Sequence, residues 1–399
     1  MNRKQFISRI GTIGAALMIA PKANIRAIEI PIGREEKNTR ISVFQGRKIK
    51  VGIIGCGSVS GMYLPHMSKS PYAEVVSLCD IRPERAQQRA KEHNIKNWYP
   101  HIDEMLAGVP FDLFVNLTDM QEHGRLNRKA INSGKFVWSE KPMANTYAEG
   151  RELFELARKK GVRIWGAPAV VNSPQFAFMA KQMHEGRLGK VAAAHAHYGH
   201  LGPDWSAFFF EEGGGSLPDL GVYNISTLTG LFGPAKSVVA MMNIIRPTVN
   251  TGNKGPIQVI AEDNAMILME HQNNILSHIQ CGFNYFDPYG HDGTGQEKPT
   301  ISIVGRGGNM HMIGYDWKPF GVDMATTDHE ETQRFVTEDA GFRWEEGASV
   351  ICEYLSTGKE PLIDAEHALH VLEIIEAARE SQKGGIRVLL KSSFRWPVL

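Results

Sequence analysis

The chain has 399 residues, 42% of them apolar, and a formal net charge of +1. That length exceeds one ordinary compact core and asks for two domains. The near-zero charge, without a long basic stripe, excludes nucleic acid as the main partner, and the apolar fraction excludes wholesale disorder.

The start, "MNRKQFISRIGTIGAALMIA", runs from basic to apolar. The apolar run is too short to cross a bilayer, so no integral membrane span is expected there, and the pattern suits a signal peptide. Asn2 to Ile7 resembles a twin-arginine signal with its second arginine replaced by Lys4. The expectation is export to the periplasm; without it the chain would be cytoplasmic. Residues 1–46 are read as this signal-like segment and a linker.

Lys48 to Ile54 is a β-rich run followed by Gly55-Cys56-Gly57-Ser58-Val59-Ser60-Gly61. A helix over "MYLPHMSKS" and a strand "AEVVSLCD" ending at Asp80 come next. Strand, glycine turn, helix, strand and acid in this order predict a dinucleotide site. Gly55 permits the tight turn, and Gly57 lets the backbone approach a pyrophosphate. Ser58 and Val59 complete the loop, and the N–H groups opening the helix face the anion. Ser60 stands where a third glycine would allow close helix packing, a tolerable change. Asp80, about 20 residues on, suits the ribose hydroxyls, which favours NAD over NADP despite Arg82 and Arg85 nearby.

The βα pattern repeats through "FDLFVNLT", "HGRLNRKAINSG", "KFVWSEKP", "AEGRELFELARKKG" and "VRIWGAP". An open parallel sheet follows, with Asp80, Thr118 and Glu140-Lys141 at the carboxyl ends of its strands, where ligands bind. After it, "PQFAFMAKQMHEGRLG" reads as a helix. "KVAAAHAHYGH", "KSVVAMMNII", "AMILMEHQNNILSHIQCGF" and "TISIVGRGGNMHMIG" read as strands with turns at Asn273-Asn274 and Gly307-Gly308. Cys56, Cys79, Cys281 and Cys352 form no C-x-x-C pair and read as small buried residues, without a disulfide. His195 and His197 alternate on one strand face, but no further ligand spacing accompanies them, so no metal is expected. Asp204-Trp205 and Asp316-Trp317 place carboxylates beside aromatic faces, a pairing that suits sugars.

From about Lys48 onward the sequence resembles the glucose–fructose oxidoreductase / inositol dehydrogenase / rhizopine-catabolism (Gfo/Idh/MocA) family. The resemblance rests on "GIIGCGSVSG", "LCDIRPERA", "NLTDMQEH", "SEKPMA", "EGRLGKV", "GGGSLPDLGVYN" and "EPLIDAEHALHVLEIIEAARES". It implies an α/β protein: a doubly wound Rossmann NAD-binding domain over residues 47–170, then a C-terminal α/β domain over 171–399. The second would carry a large, open, mostly antiparallel sheet, the substrate pocket and a homo-oligomer surface. The resemblance makes Lys141 the contact to the substrate hydroxyl and matches Asp219. Tyr223 stands where the family has a histidine base, and His123 is retained from the family's T-P-N-x-x-H; with Thr118, Glu140 and Lys141 it is expected among the cofactor-binding residues.

Two roles stay open for Tyr223. It could share proton transfer with Lys141, whose ammonium would lower the phenol's pKa, or it could line the pocket while Lys141 works alone or with His195, His197 or His200. Two activities stay open as well. One is hydride transfer between NAD and a carbinol carbon of a sugar, glycoside or cyclic polyol. The other is redox-neutral glycoside cleavage with retained NAD, which export to a compartment poor in free NAD would favour. An inactive sugar- or nucleotide-binding relative is a third reading.

Overall fold

The computed structural model describes Phe44, residues 46–290 and residues 297–399. The expected signal and nearly all of the linker lie outside the described residues. None of the described helices is long and apolar enough to cross a membrane.

The first layer alternates strand and helix: β1 (Ile49–Ile54), α1 (Ser60–Lys69), β2 (Ala73–Cys79), α2 (Pro83–Glu92), β3 (Asn97–Tyr99), α3 (Ile102–Ala107), β4 (Leu113–Asn116), α4 (His123–Asn132), β5 (Phe136–Ser139), α5 (Tyr147–Lys160) and β6 (Ile164–Gly166). The described strands form a six-stranded sheet in the order β3-β2-β1-β4-β5-β6, all parallel. This is the doubly wound Rossmann order, with its reversal between β1 and β4. The central strands β4 and β5 are buried at every position, as their unbroken apolar runs require. α5 starts where the Thr146 side chain accepts the Glu149 N–H and stops at Gly161, in the left-handed region at φ 71°. α1 begins at Ser60, earlier than "MYLPHMSKS" implied, so Pro65 sits inside it at the cost of one helical hydrogen bond.

The second layer holds α6 (Pro174–His184), β7 (Val191–Gly199), α7 (Val222–Phe232), β8 (Ala235–Asn243), β9 (Thr248–Thr251), β10 (Gly255–Gln258), β11 (Asn264–His271), β12 (Leu276–Gly282), β13 (Pro299–Gly305), β14 (Gly308–Tyr315), β15 (Lys318–Thr326) and β16 (His329–Phe335). α8 (Gly347–Thr357), α9 (Ala365–Gly384) and β17 (Val388–Leu389) follow. β9 and β10 pair by themselves; the others make a nine-stranded sheet, β16-β15-β14-β13-β7-β12-β11-β8-β17. Only the β7–β12 pair in it is parallel.

α7 and α9 pack on one face of this sheet, where Ala194, Ala196 and Tyr198 of β7 point. The opposite face carries a row in register across eight strands: Val239, Leu268, His278, His195, Ser302, His311, Asp323 and Arg334. α8 packs back against β1, β2 and β5 of the first sheet. Gly347 opens it because any Cβ there would lie 2.1 Å from the Trp138 ring. The four cysteines are buried and free.

Candidate active site

The glycine loop is built by short-range sterics. Gly55 sits at φ 90°, and a Cβ on it would lie 2.5 Å from the Leu117 carbonyl, so β1 and β4 leave the sheet in direct backbone contact. A Cβ on Gly57 would meet only the Arg85 guanidinium, at 3.7 Å. The chain itself therefore does not require glycine there, whereas a phosphate approaching the backbone does. The Ser60 hydroxyl donates to the Gly57 carbonyl at 2.7 Å, which absorbs the departure from a third glycine.

A cleft of about 480 Å³ opens at this switch point. It is lined by Cys56 to Val59, by Arg85, Gln88 and Arg89 of α2, by Leu117 to Asp119, and by Trp205 and Phe208 from the second layer. The volume, the open Gly57 and the loop's N–H groups fit a dinucleotide. Asp80 is nine-tenths buried, and its two oxygens accept the N–H groups of Cys56 and Arg82, each at 2.8 Å. It ties the loop to the end of β2 and keeps one further lone pair per oxygen for a ribose. Thr118 lines the cleft and donates its hydroxyl to Asn116, which is held by Asn127.

His123 is buried. Its Nδ1 faces the Pro142 carbonyl at 2.7 Å and its Nε2 the Thr118 carbonyl at 3.0 Å. Burial pushes its pKa down. It stands between the loops after β4 and β5, facing main-chain carbonyls of both. Glu140 is likewise internal. It accepts the Tyr63 hydroxyl at 2.6 Å and the Lys141 N–H at 3.1 Å, and so fixes the turn that projects Lys141.

Lys141 reaches across to the second layer. Its Nζ donates to Asp219 Oδ1 at 2.6 Å and to the Asp219 carbonyl at 2.8 Å; both side chains are 12% exposed. Asp219 lies in a π-helical turn, Leu217–Gly221, that runs into α7 and aims its carboxylate at the first layer. An ammonium has three N–H bonds. The Asp219 carboxylate and carbonyl take two of them.

Tyr223, one turn further on, presents its ring face to Lys141, with Nζ 5.1 Å from the centroid. Burial pushes its phenol well above the ordinary value, and the Glu140, Asp219 and Asp316 carboxylates add to this. Burial thus acts against the lowering that Lys141 could supply and favours the protonated phenol.

The other sequence candidates part company. His195 and His197 point to the open sheet face, and strand alternation turns them away from Tyr198, whose ring lies 6.0 Å from Tyr223. His200 accepts the Gly202 N–H at Nδ1. None of the three pairs with Lys141. Asp316 is fully buried and accepts Asn224 Nδ2 and Thr227 Oγ1, so it is not a sugar rim; burial raises its pKa to about 6. Trp205 joins the dinucleotide cleft. Gln88, Arg89 and Phe208 were not foreseen. Arg85, Gln88 and Arg89 share one face of α2 by their spacing, a usable signal; Phe208 carried none. No group of three or more potential metal ligands occurs among the described residues.

The model of an oxidoreductase family with an NAD-binding Rossmann fold, Gfo/Idh/MocA, matches residues 49–167, and the family's C-terminal domain model matches residues 176–311. The chain belongs to the Gfo/Idh/MocA family. It is an NAD-binding oxidoreductase. It is 23% identical over 349 residues to trans-1,2-dihydrobenzene-1,2-diol dehydrogenase of Bos taurus, covering 83% of this chain and 96% of that one. Among solved structures, it superposes on the aldose–aldose oxidoreductase of Caulobacter crescentus complexed with glycerol. The TM-score is 0.72 at 20% identity, over 86% of this chain and 100% of that one. The WlbA dehydrogenase of Bordetella pertussis, in complex with NADH and UDP-GlcNAcA, gives 0.70 at 20% identity, over 86% and 99%.

Proposed function

We propose that this enzyme transfers hydride between NAD and a carbinol carbon of a sugar, glycoside or cyclic polyol. The observation that carries the reading is the Lys141–Asp219 pair, assembled from both layers, with Lys141 just past the end of β5 in the sheet whose strand ends open into the cleft. NAD supplies the hydride acceptor; Gly55, Gly57, Ser58, Val59, Asp80 and Thr118 would hold it, while Glu140 and His123 keep the loops in place.

Oxidation of an alcohol also releases the hydroxyl proton. Lys141 binds that oxygen and stabilises its developing negative charge, and Asp219 holds the ammonium in place and offers the proton a carboxylate beside it. Tyr223 donates a hydrogen bond to the substrate. Asp80 favours NAD over NADP by repelling a 2′-phosphate.

Lys141→Met and Asp219→Asn should lower turnover of the responsive substrate by orders of magnitude while NADH still binds, measured by fluorescence titration. Full turnover in Lys141→Met would overturn the reading. A screen of free sugars, polyols and aryl glycosides separates the two activities. NADH formation supports the dehydrogenase; aglycone release without net NADH supports glycoside cleavage.

A second copy of the chain completes the proposal. Met241, Leu268 and Leu276 on the open sheet face are 77%, 56% and 56% exposed, beside Met266, Val239 and Val304. Such a contiguous apolar face marks an interface, and the paired charges of Asp323 with Arg334 and Glu270 with Lys236 suit a self-complementary one. Light scattering should give an oligomer, and Leu268→Asp a monomer.

A further inference from the structure

The second layer places an aromatic segment on the dinucleotide cleft. Trp205 is 48% exposed there, yet it is not loosely held: its ring meets Phe208 and Phe209 edge-on, with centroids 5.5 and 4.9 Å away. The segment is fastened on every side. Gln121, from the loop after β4, donates Nε2 to the carbonyls of Phe208 and Glu212. The Gly252 N–H donates to the Asp204 carbonyl, and Asn253 accepts the Ala207 N–H and donates to Ser206 Oγ. Gly214 passes so close beneath that a Cβ would lie 2.5 Å from the Phe208 and Phe209 carbonyls. The glycine run 213–215 is thus partly explained by this segment and not by the reaction centre. A half-exposed indole costs free energy in water, and fixing it costs no further entropy when a ring arrives.

We propose that Trp205 and Phe208 are dinucleotide-binding residues that clamp the adenosine–pyrophosphate half of NAD and slow its release. This rests on the dinucleotide reading of the cleft. The half is assigned by the lining: the glycine loop and Arg85, Gln88 and Arg89 share the cleft with these rings, whereas Lys141, Asp219 and Tyr223 do not line it. The clamp lets the second layer control cofactor residence without taking part in the chemistry.

Stopped-flow displacement of NADH and calorimetry with ADP-ribose test it. Trp205→Ala should release NADH on the order of tenfold faster, as expected for loss of one aromatic stacking contact, and Trp205→Phe should stay near wild type. ADP-ribose, which lacks nicotinamide, should weaken in Trp205→Ala by the same factor as NADH. Phe208→Ala and Gln121→Ala, which loosen the segment, should accelerate release in the same direction and stand in if Trp205→Ala fails to fold. Unchanged release in these variants overturns the clamp, and loss of NADH affinity without loss of ADP-ribose affinity overturns its placement. Wild-type protein that binds neither probe would instead overturn the dinucleotide reading itself.

Discussion

The first sheet is covered on both faces, and its strands β4 and β5 are buried at every residue; the second is covered on one face, so β11 and β12 alternate between core and solvent. The first sheet positions chiefly backbone, at Gly55, Cys56 and the turn after Glu140, together with the Asp80 carboxylate that holds the loop. The second positions side chains: Asp219, Tyr223 and Trp205. Lys141 links them. A chemistry that needs a fixed cofactor and a variable substrate is well served by this division, because loops at strand ends can change without disturbing either core.

The most direct way to break this comparison is to cut the link. Lys141→Met should lower kcat by about a thousandfold, equivalent to roughly 4 kcal/mol in the barrier. Steady-state rates with the best substrate measure it, and an unchanged NADH affinity would show that the first layer binds without help from the link.

Acid should weigh most on the second layer, which holds more buried histidines than the first, where His123 is buried. His271, His367 and His370 are buried there, and burial lowers their pKa values to about 4, about 4 and about 3. His370 is held neutral by geometry: Nε2 accepts the Ala235 N–H, and Nδ1 lies 2.7 Å from Ser392 Oγ, whose own proton goes to Glu373. Unfolded histidines take up protons below about 6.5, whereas these cannot until near 4, so the unfolded state binds more protons in that window. Stability is therefore complete above about pH 6.5 and falls as pH drops toward 4, by roughly 3 kcal/mol for one such histidine, with the three not additive. Urea midpoints at pH 7.5 and 5 measure the loss, and His370→Gln should flatten the slope.

A first-layer counterpart comes next in size. Asn127 accepts from Asn116 Nδ2 and donates to Ser139 Oγ and the Met143 carbonyl, all buried. Asn127→Ala strands those partners and should cost about 2 kcal/mol of unfolding free energy at every pH. A loss that depended on pH would blur the contrast with the histidine cluster.

Much of this was legible in the sequence for a reason of distance. The glycine loop, Asp80 and the turn at Glu140-Lys141 are made by residues adjacent in the chain, so local order revealed them. Lys141 and Asp219 lie 78 residues apart, and only the family resemblance joined them. The packing of α8 on the first sheet stayed hidden because it depends on Gly347 meeting Trp138, a contact no periodicity records. β16, "HEETQRF", is polar and exposed along an edge, so it offered no alternation to read. That Lys141 stands over the ring face of Tyr223 is a matter of rotamers, which residue order does not record.

The smallest effect is expected at Ser60, the residue that replaces the third glycine. Its hydroxyl is buried and closes onto the Gly57 carbonyl, so the side chain occupies space that the α1–loop junction already provides. Ser60→Gly removes one hydrogen bond and adds backbone freedom to the unfolded chain, together about 1 kcal/mol of unfolding free energy. The cleft should keep its NADH affinity, because the phosphate-facing N–H groups and the open Gly57 are untouched. A large fall in affinity at unchanged stability would mean that the hydroxyl shapes the phosphate cradle itself. The hydroxyl would then join Asp80 as a first-layer side chain that acts on the cofactor.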